Sequence, residues 1–198
     1  MATRTVLVLV GIPGSGKSMV ATDLAGAGWA RLSRDDFFSE VAYIEAYKKL
    51  LRSSNDHIVV DRMNLSPKTR HLWVRLARED MKASGRPTVV IALELLLHPE
   101  VCLARVKSRR GHPTISSYNS GGSSSDHARI IQSCHKKLVL VDAADEGFDA
   151  AYWVAEERSL PATVQMLCSE AATPTAPTAA ASPPPKPWAQ KHALLHCM

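Results

Sequence analysis

Cysteine is scarce in this chain, and what little there is does not cluster. Four cysteines in 198 residues, Cys102, Cys134, Cys168 and Cys197, stand far apart. There is no C-x-x-C pair and no Cys/His spacing of a zinc site, which argues against a disulfide framework and for reduced thiols inside a cell. No apolar run approaches the ~20 residues that a bilayer span needs, so a soluble protein with no membrane contact is expected. Met1-Ala2-Thr3-Arg4 leads straight into an apolar stretch, leaving no room for a secretory leader. A cytoplasmic or nuclear location is the expectation. Internal repeats are absent. Charge is only mildly one-sided: 24 Lys+Arg against 19 Asp+Glu give +5 and a pI near 9.1. That balance suits an anionic partner without requiring one. A hydrophobic content of 45% is enough for a core.

The chain is organised around Gly11-Ile12-Pro13-Gly14-Ser15-Gly16-Lys17-Ser18, which reads G-x-x-x-x-G-K-S. By chance this spacing arises in roughly one chain of this length in a hundred at average residue usage, and its flanks lower the odds further. The run Thr5–Val10 before it is apolar and β-branched, as in a buried parallel strand. After it, Met19, Val20, Leu24 and Ala27 recur at helical spacing. Strand, glycine loop and helix form a phosphate cradle: the glycines let backbone N–H groups converge on an anion, and the helix N-terminus adds positive partial charge. Lys17 is positioned for the β- and γ-phosphates of ATP, and the Ser18 hydroxyl for Mg²⁺.

Further along, strands alternate with helices. Trp29–Ser33 reads as a strand ending at Ser33-Arg34-Asp35-Asp36. An amphipathic helix follows with Phe37, Val41, Ile44, Tyr47 and Leu51 on its apolar face. His57–Asp61 is an apolar strand closed by an acid. Ser66-Pro67 marks a helix start, with Leu72, Trp73, Leu76, Ala77 and Met81 inward and Gly85-Arg86-Pro87 as its stop. Thr88–Leu96 is the fourth strand, and Pro99 opens a helix through Val106. Lys107–Ser125, basic and then Ser/Gly-rich, reads as a mobile loop. A helix over Asp126–Val139 and a strand over Phe148–Val154 complete the set. The expectation is an α/β P-loop NTPase fold, a doubly wound parallel sheet of about five strands with helices on both faces, within a domain of residues 1–160. Residues 161–198 are expected to be a largely disordered Ala/Pro-rich tail. Its polyproline run Pro183-Pro184-Pro185-Lys186-Pro187 is either a solvated tail or a ligand for an SH3- or WW-type partner.

In doubly wound sheets ligands bind at the carboxyl ends of strands. The loop at Gly11, the acids Asp35 and Asp36, and Asp61 all fall there. An acceptor hydroxyl needs a carboxylate to orient it and take its proton; Asp35 is read in that role and Asp36 as the cap of the next helix. Asp61, at a strand end, is read as the acid of the Mg²⁺ shell. Asn64 is a candidate to hydrogen-bond the acceptor or the loop. Arg70 is a second acceptor candidate or an exposed helix charge. Arg105 is a candidate nucleotide contact, and Arg109 and Arg110 are candidate lid arginines that neutralise charge on the transferring phosphoryl group. Arg129, Lys136 and Lys137 extend a weak basic track for a polyanion.

In this order, the loop Gly11–Ser18, the acid pair after Ser33, the run Asp61-Arg62-Met63-Asn64-Leu65-Ser66-Pro67 with Arg70, and Arg109-Arg110-Gly111 resemble the 5′-hydroxyl polynucleotide kinases, the kinase part of kinase–phosphatase end-healing enzymes of nucleic acid repair. The resemblance covers about Thr5 to Ala155. It implies that Lys17 and Ser18 bind ATP and Mg²⁺, that Asp35 is the general base for a polynucleotide 5′-hydroxyl, and that Arg110 or Arg109 contacts the phosphates. The chain departs from the family in carrying Phe37 and Phe38 where a basic residue often follows the acid pair, Met19 after the P-loop serine, and Met63 where a threonine is usual. No D-x-D-x-T phosphatase motif accompanies it. Two other functions remain open to these residues: a sugar or nucleoside kinase of the same class, and a non-catalytic ATP-binding adaptor with a proline-rich tail. Oligomeric state is not legible.

Overall fold

The computed structural model describes residues 2–108 and 124–172. β1 (Arg4–Val10) lies at the centre of a five-stranded sheet with β2 (Ala30–Ser33), β3 (His57–Asp61), β4 (Thr88–Leu95) and β5 (Ala150–Val154). The order is β2-β3-β1-β4-β5 and every pairing is parallel. Strand alternation divides β1 between two cores. Val6, Val8 and Val10 point to one face, and Leu7 and Leu9 to the other; all are fully buried. A strand buried on both faces is what a near-continuous apolar run encodes in a parallel sheet.

On the Leu7 face lies α1 (Lys17–Gly26), contributing Val20 and Leu24. The opposite face carries α2 (Glu40–Leu51), α3 (Pro67–Ser84), α4 (Pro99–Ser108) and α5 (Ser124–Lys137). Trp73 of α3 is fully buried between Tyr43 and Tyr47 of α2, each 5.2 Å away edge-on. Such pairs add about 0.5–1.5 kcal/mol each beyond burial. The α3 boundaries follow the sequence: Ser66 accepts from the Thr69 N–H, Pro67 opens the first turn, and Gly85 closes it with φ 71°.

Two expectations about boundaries are corrected. The second helix begins at Glu40, not Phe37, because Ser39 is its N-cap and accepts from the Ala42 N–H; Asp36 is not the cap but lies with Arg34 and Asp35 in a short 3-10 turn. The helix phase therefore buries Tyr43, Tyr47 and Leu51 and leaves Val41 71% exposed. At the other end, ordered structure runs past 160. After a four-residue helix α6 (Ala143–Glu146) and β5, α7 (Leu160–Ala172) packs Leu160 and Leu167 against the α1 face of the sheet. The domain thus includes residues expected in the tail. Residues 173–198, with the polyproline run, lie outside the described residues. No helix among the described residues is long and apolar enough to cross a membrane.

Candidate active site

At the carboxyl end of β1 the chain turns through Gly11–Ser18 into α1. Gly14 has φ 81° and Gly16 φ 101°, a region that side-chain-bearing residues rarely adopt. A Cβ on Gly14 would also run into the Cys102 carbonyl of α4, and one on Gly16 would crowd the Arg105 guanidinium and Leu160. The loop is therefore closely packed against α4 and α7. Gly16 stands at the N-cap of α1, and no side chain caps that helix, so its N-terminal partial charge is not answered by a capping side chain.

Lys17 is 8% exposed and folds back over the loop, its Nζ donating to the Ile12 carbonyl at 2.7 Å and lying 3.3 Å from Ser15 Oγ. Arg105 donates to the Gly14 carbonyl at 3.2 Å and pairs with Glu157 at 2.6 Å. It braces the outer side of the loop. Cys102 beside it is buried, and burial pushes its thiol up to about 11 against the opposing pull of Lys17 and Arg105. It is an inert thiol at neutral pH.

Asp61 ends β3, the strand next to β1. It is 5% exposed, and its Oδ1 accepts from Ser18 Oγ at 3.4 Å. Its Oδ2 is held by Arg31 of β2, with Nη2 at 2.6 Å and Nε at 3.2 Å. Arg31 drew no attention in the sequence, because nothing local marks a strand arginine that reaches across to the neighbouring strand. A serine hydroxyl beside a carboxylate oxygen is a hard-oxygen pair of the kind Mg²⁺ prefers. Among the described residues no cluster of three or more His, Cys, Asp or Glu could hold a metal. An ion placed here would share its shell with phosphate oxygens and water, the usual arrangement for Mg²⁺. Asp35 is exposed on the 3-10 turn that follows β2, at the same carboxyl edge of the sheet.

Two of the expected acceptor residues turn inward. Asn64 is 2% exposed with φ 47°. Its Nδ2 donates to the Leu9 carbonyl at 2.8 Å and its Oδ1 accepts from Trp73 Nε1 at 2.9 Å, so it ties β1 to α3 and leaves no amide face for a substrate. Arg70 is fully buried. It forms a bidentate pair with Glu146 at 2.6 Å on both nitrogens, and its remaining N–H groups donate to the carbonyls of Asn64, Val139 and Leu140. Neither the exposed-charge role nor an acceptor contact fits an arginine with all its donors used inside the protein. A third buried polar residue, Glu94 near the end of β4, accepts from the Val141 N–H at 2.9 Å. Burial raises its carboxyl to about 7, against the pull of that N–H and of Arg70. Glu94 escaped the sequence reading, although an acid inside the apolar run Val89–Leu97 is itself a signal of a buried partner. Arg109 and Arg110, and most of the expected lid, lie outside the described residues.

An AAA-domain family model matches residues 6–120, more than half of the chain. No curated protein matches the sequence. Among solved structures, a fungal RNA kinase superposes with a TM-score of 0.63 at 13% identity, covering 90% of this chain and 47% of that one. The chain thus spans about half of that kinase's length. Kti12 of Chaetomium thermophilum, in complex with ADP-AlF3, gives 0.54 at 13% identity over 83% of this chain and 97% of that one. A gluconokinase from Sinorhizobium meliloti 1021 gives 0.51 at 19% identity over 85% and 91%. At these identities the likeness is one of fold, and the fold is that of P-loop NTPases.

Proposed function

The chain belongs to the AAA-domain family, and within it we propose an ATP-dependent phosphotransferase whose acceptor is the 5′-hydroxyl end of a polynucleotide. The observation that carries this reading is the convergence of the glycine loop and the Ser18–Asp61 pair, 3.4 Å apart, on the sheet edge that also carries Asp35. The loop backbone and Lys17 bind the phosphates of ATP, the ammonium exchanging the Ile12 carbonyl for phosphate oxygen. Ser18 and Asp61 would hold Mg²⁺, which when bound neutralises charge on the β- and γ-phosphates. Asp35 orients the acceptor hydroxyl and takes its proton as the oxygen bonds to the γ-phosphorus and the bond to ADP breaks. Arg109 and Arg110 are proposed as phosphate contacts on their sequence position alone.

The polynucleotide acceptor is supported by the order of motifs, the net positive charge and the fold shared with a fungal RNA kinase. A sugar or nucleoside acceptor is the second reading, favoured by the match to nearly the whole length of a gluconokinase. Incubation with γ-labelled ATP and 5′-hydroxyl RNA and DNA oligonucleotides, beside a sugar and nucleoside panel and with Lys17→Ala as the inactive control, decides between them. Label on an oligonucleotide supports the first reading. Label on a sugar or nucleoside alone replaces it with the second, and ATP binding with no labelled product replaces both with an adaptor.

A further inference from the structure

Arg31 of β2 stands opposite Val59 of β3, and Ser33, two residues on, stands opposite Asp61. Strand alternation puts Arg31, Ser33 and Asp61 on one face of the sheet, and α1 brings Ser18 to the same place. Two residues of parallel strand rise about 6.6 Å, a gap that a side chain as long as arginine spans. Arg31 spans it to reach Asp61, its own side chain 32% exposed and that of Asp61 4%.

The manner of this contact is unusual. A guanidinium fork commonly gives each carboxylate oxygen its own nitrogen. Here Nη2 at 2.6 Å and Nε at 3.2 Å both converge on Oδ2. Oδ1 is left to the Ser18 hydroxyl at 3.4 Å. The two oxygens of one acid therefore have separate duties: one is gripped by a cation, and the other faces the first turn of α1. That division matters to a divalent ion. Mg²⁺ favours a tight octahedral shell of oxygens at about 2.0–2.1 Å and keeps several waters, whereas Ca²⁺ takes about six to eight oxygens and readily uses both of a carboxylate. Among the described residues no cluster of three or more His, Cys, Asp or Glu offers further ligands. The second oxygen of Asp61 is thus the ready source of an extra ligand for the larger ion, and Arg31 withholds it.

We propose that Arg31 is a positioning residue that sets ion specificity: by occupying Oδ2 it presents Asp61 as a one-oxygen ligand and so disfavours Ca²⁺ against Mg²⁺. The positive charge of Arg31 opposes both ions alike, because they carry the same charge. The discrimination therefore lies in the grip on Oδ2. This role rests on the reading of Ser18 and Asp61 as the metal shell and goes beyond it by naming the ion that the shell rejects.

The test uses the full chain with ADP, and Mn²⁺ as the probe ion. Electron paramagnetic resonance follows Mn²⁺ on the protein–ADP complex as Mg²⁺ or Ca²⁺ displaces it, with no turnover. The ratio of the Ca²⁺ midpoint to the Mg²⁺ midpoint is the selectivity. Loss of Arg31 leaves Asp61 buried without its cation, so thermal unfolding first establishes which variants fold. Arg31→Met removes charge and grip together, and its ratio is expected to fall about tenfold, the lower end of what outer partners of a metal ligand contribute. Arg31→Lys keeps the charge that sustains the fold but offers one nitrogen in place of two, and its ratio is expected to fall about threefold, part of the same span. A ratio unchanged in the folded variants overturns the proposal, including the case where both midpoints move by one factor, which is the effect of charge alone. Mn²⁺ held equally by wild type and Asp61→Asn overturns it through the metal shell itself. A shifted ratio in a protein that phosphorylates nothing upholds the role of Arg31 and overturns the kinase reading.

Discussion

Ser18 Oγ lies 3.4 Å from Asp61 Oδ1, and the second oxygen of that carboxylate is pinned by Arg31 at 2.6 Å. The pair joins the first turn of α1 to the end of β3, and its carboxylate is the proposed support for a divalent ion. Asp61→Asn removes its charge while keeping its shape. The Mg²⁺ concentration for half-maximal turnover is expected to rise by about 10–100-fold, the span seen when the surroundings of a metal site are altered. A Mg²⁺ titration of labelled product formation checks this. An unchanged requirement would remove Asp61 from the metal shell.

Arg70 has become a structural residue. Arg70→Ala leaves the Glu146 carboxylate buried without its partner, a loss of about 3–5 kcal/mol. Urea unfolding should register that loss, while the KM for an oligonucleotide, measured on folded protein, stays near wild type. A large rise in KM with little loss of stability would return Arg70 to the acceptor site.

Glu94 makes stability depend on pH. The folded protein holds its proton up to about pH 7, whereas the unfolded chain releases it near the ordinary 4.5. The folded state therefore binds more protons in that window, and this contribution to stability falls as pH rises through it. Glu94→Gln, which keeps an acceptor for the Val141 N–H, should flatten the decline of the urea midpoint between pH 5 and 7. The same slope in both proteins would contradict the placement of Glu94 in the core.

Helix α7 sets where the chain can be shortened. A stop after Ala172 should leave the melting temperature and activity unchanged, because the Ala/Pro-rich composition beyond it has little to bury. A stop after Ser159 removes Leu160 and Leu167, each worth about 1.5–3 kcal/mol when buried. Thermal unfolding should place its midpoint several degrees lower. Equal midpoints for the two stops would show that α7 adds nothing to the core.

Much of this architecture was legible because local rules and tertiary burial agree. The apolar run of β1, the glycine loop, the Ser66-Pro67 start and Gly85 stop of α3, and the acid ending β3 each state their structure within a few residues. Where the reading failed, the deciding partner was distant or a weaker local signal was passed over. Arg70 shares the buried face of α3 with Trp73 and Ala77, a phase that its reading as an exposed charge or acceptor contact passed over. Its partner Glu146 is 76 residues away and invisible to any local pattern. Asn64 was read as a hydrogen-bonding contact of the acceptor or the loop because its two partners, Leu9 and Trp73, come from different elements. Ser39 competed with Asp36 for the same helix start, and a shift of a few residues changed which side chains face the core. The spacing Leu160, Val164, Leu167 did announce α7, but the Ala/Pro composition that follows it masked the pattern.

The central claim is that Asp35 serves phosphoryl transfer and not folding or ATP binding, and one comparison tests it most directly. Asp35→Asn and wild type are titrated with ATP and then followed in single-turnover phosphorylation of a 5′-hydroxyl oligonucleotide. The side chain is exposed and does not cap α2, so the fold and the ATP affinity should survive the change. Turnover should fall by roughly 10²–10⁴-fold, the range of positioned acid–base catalysis. Turnover equal to wild type would contradict the account and move the proton acceptor elsewhere.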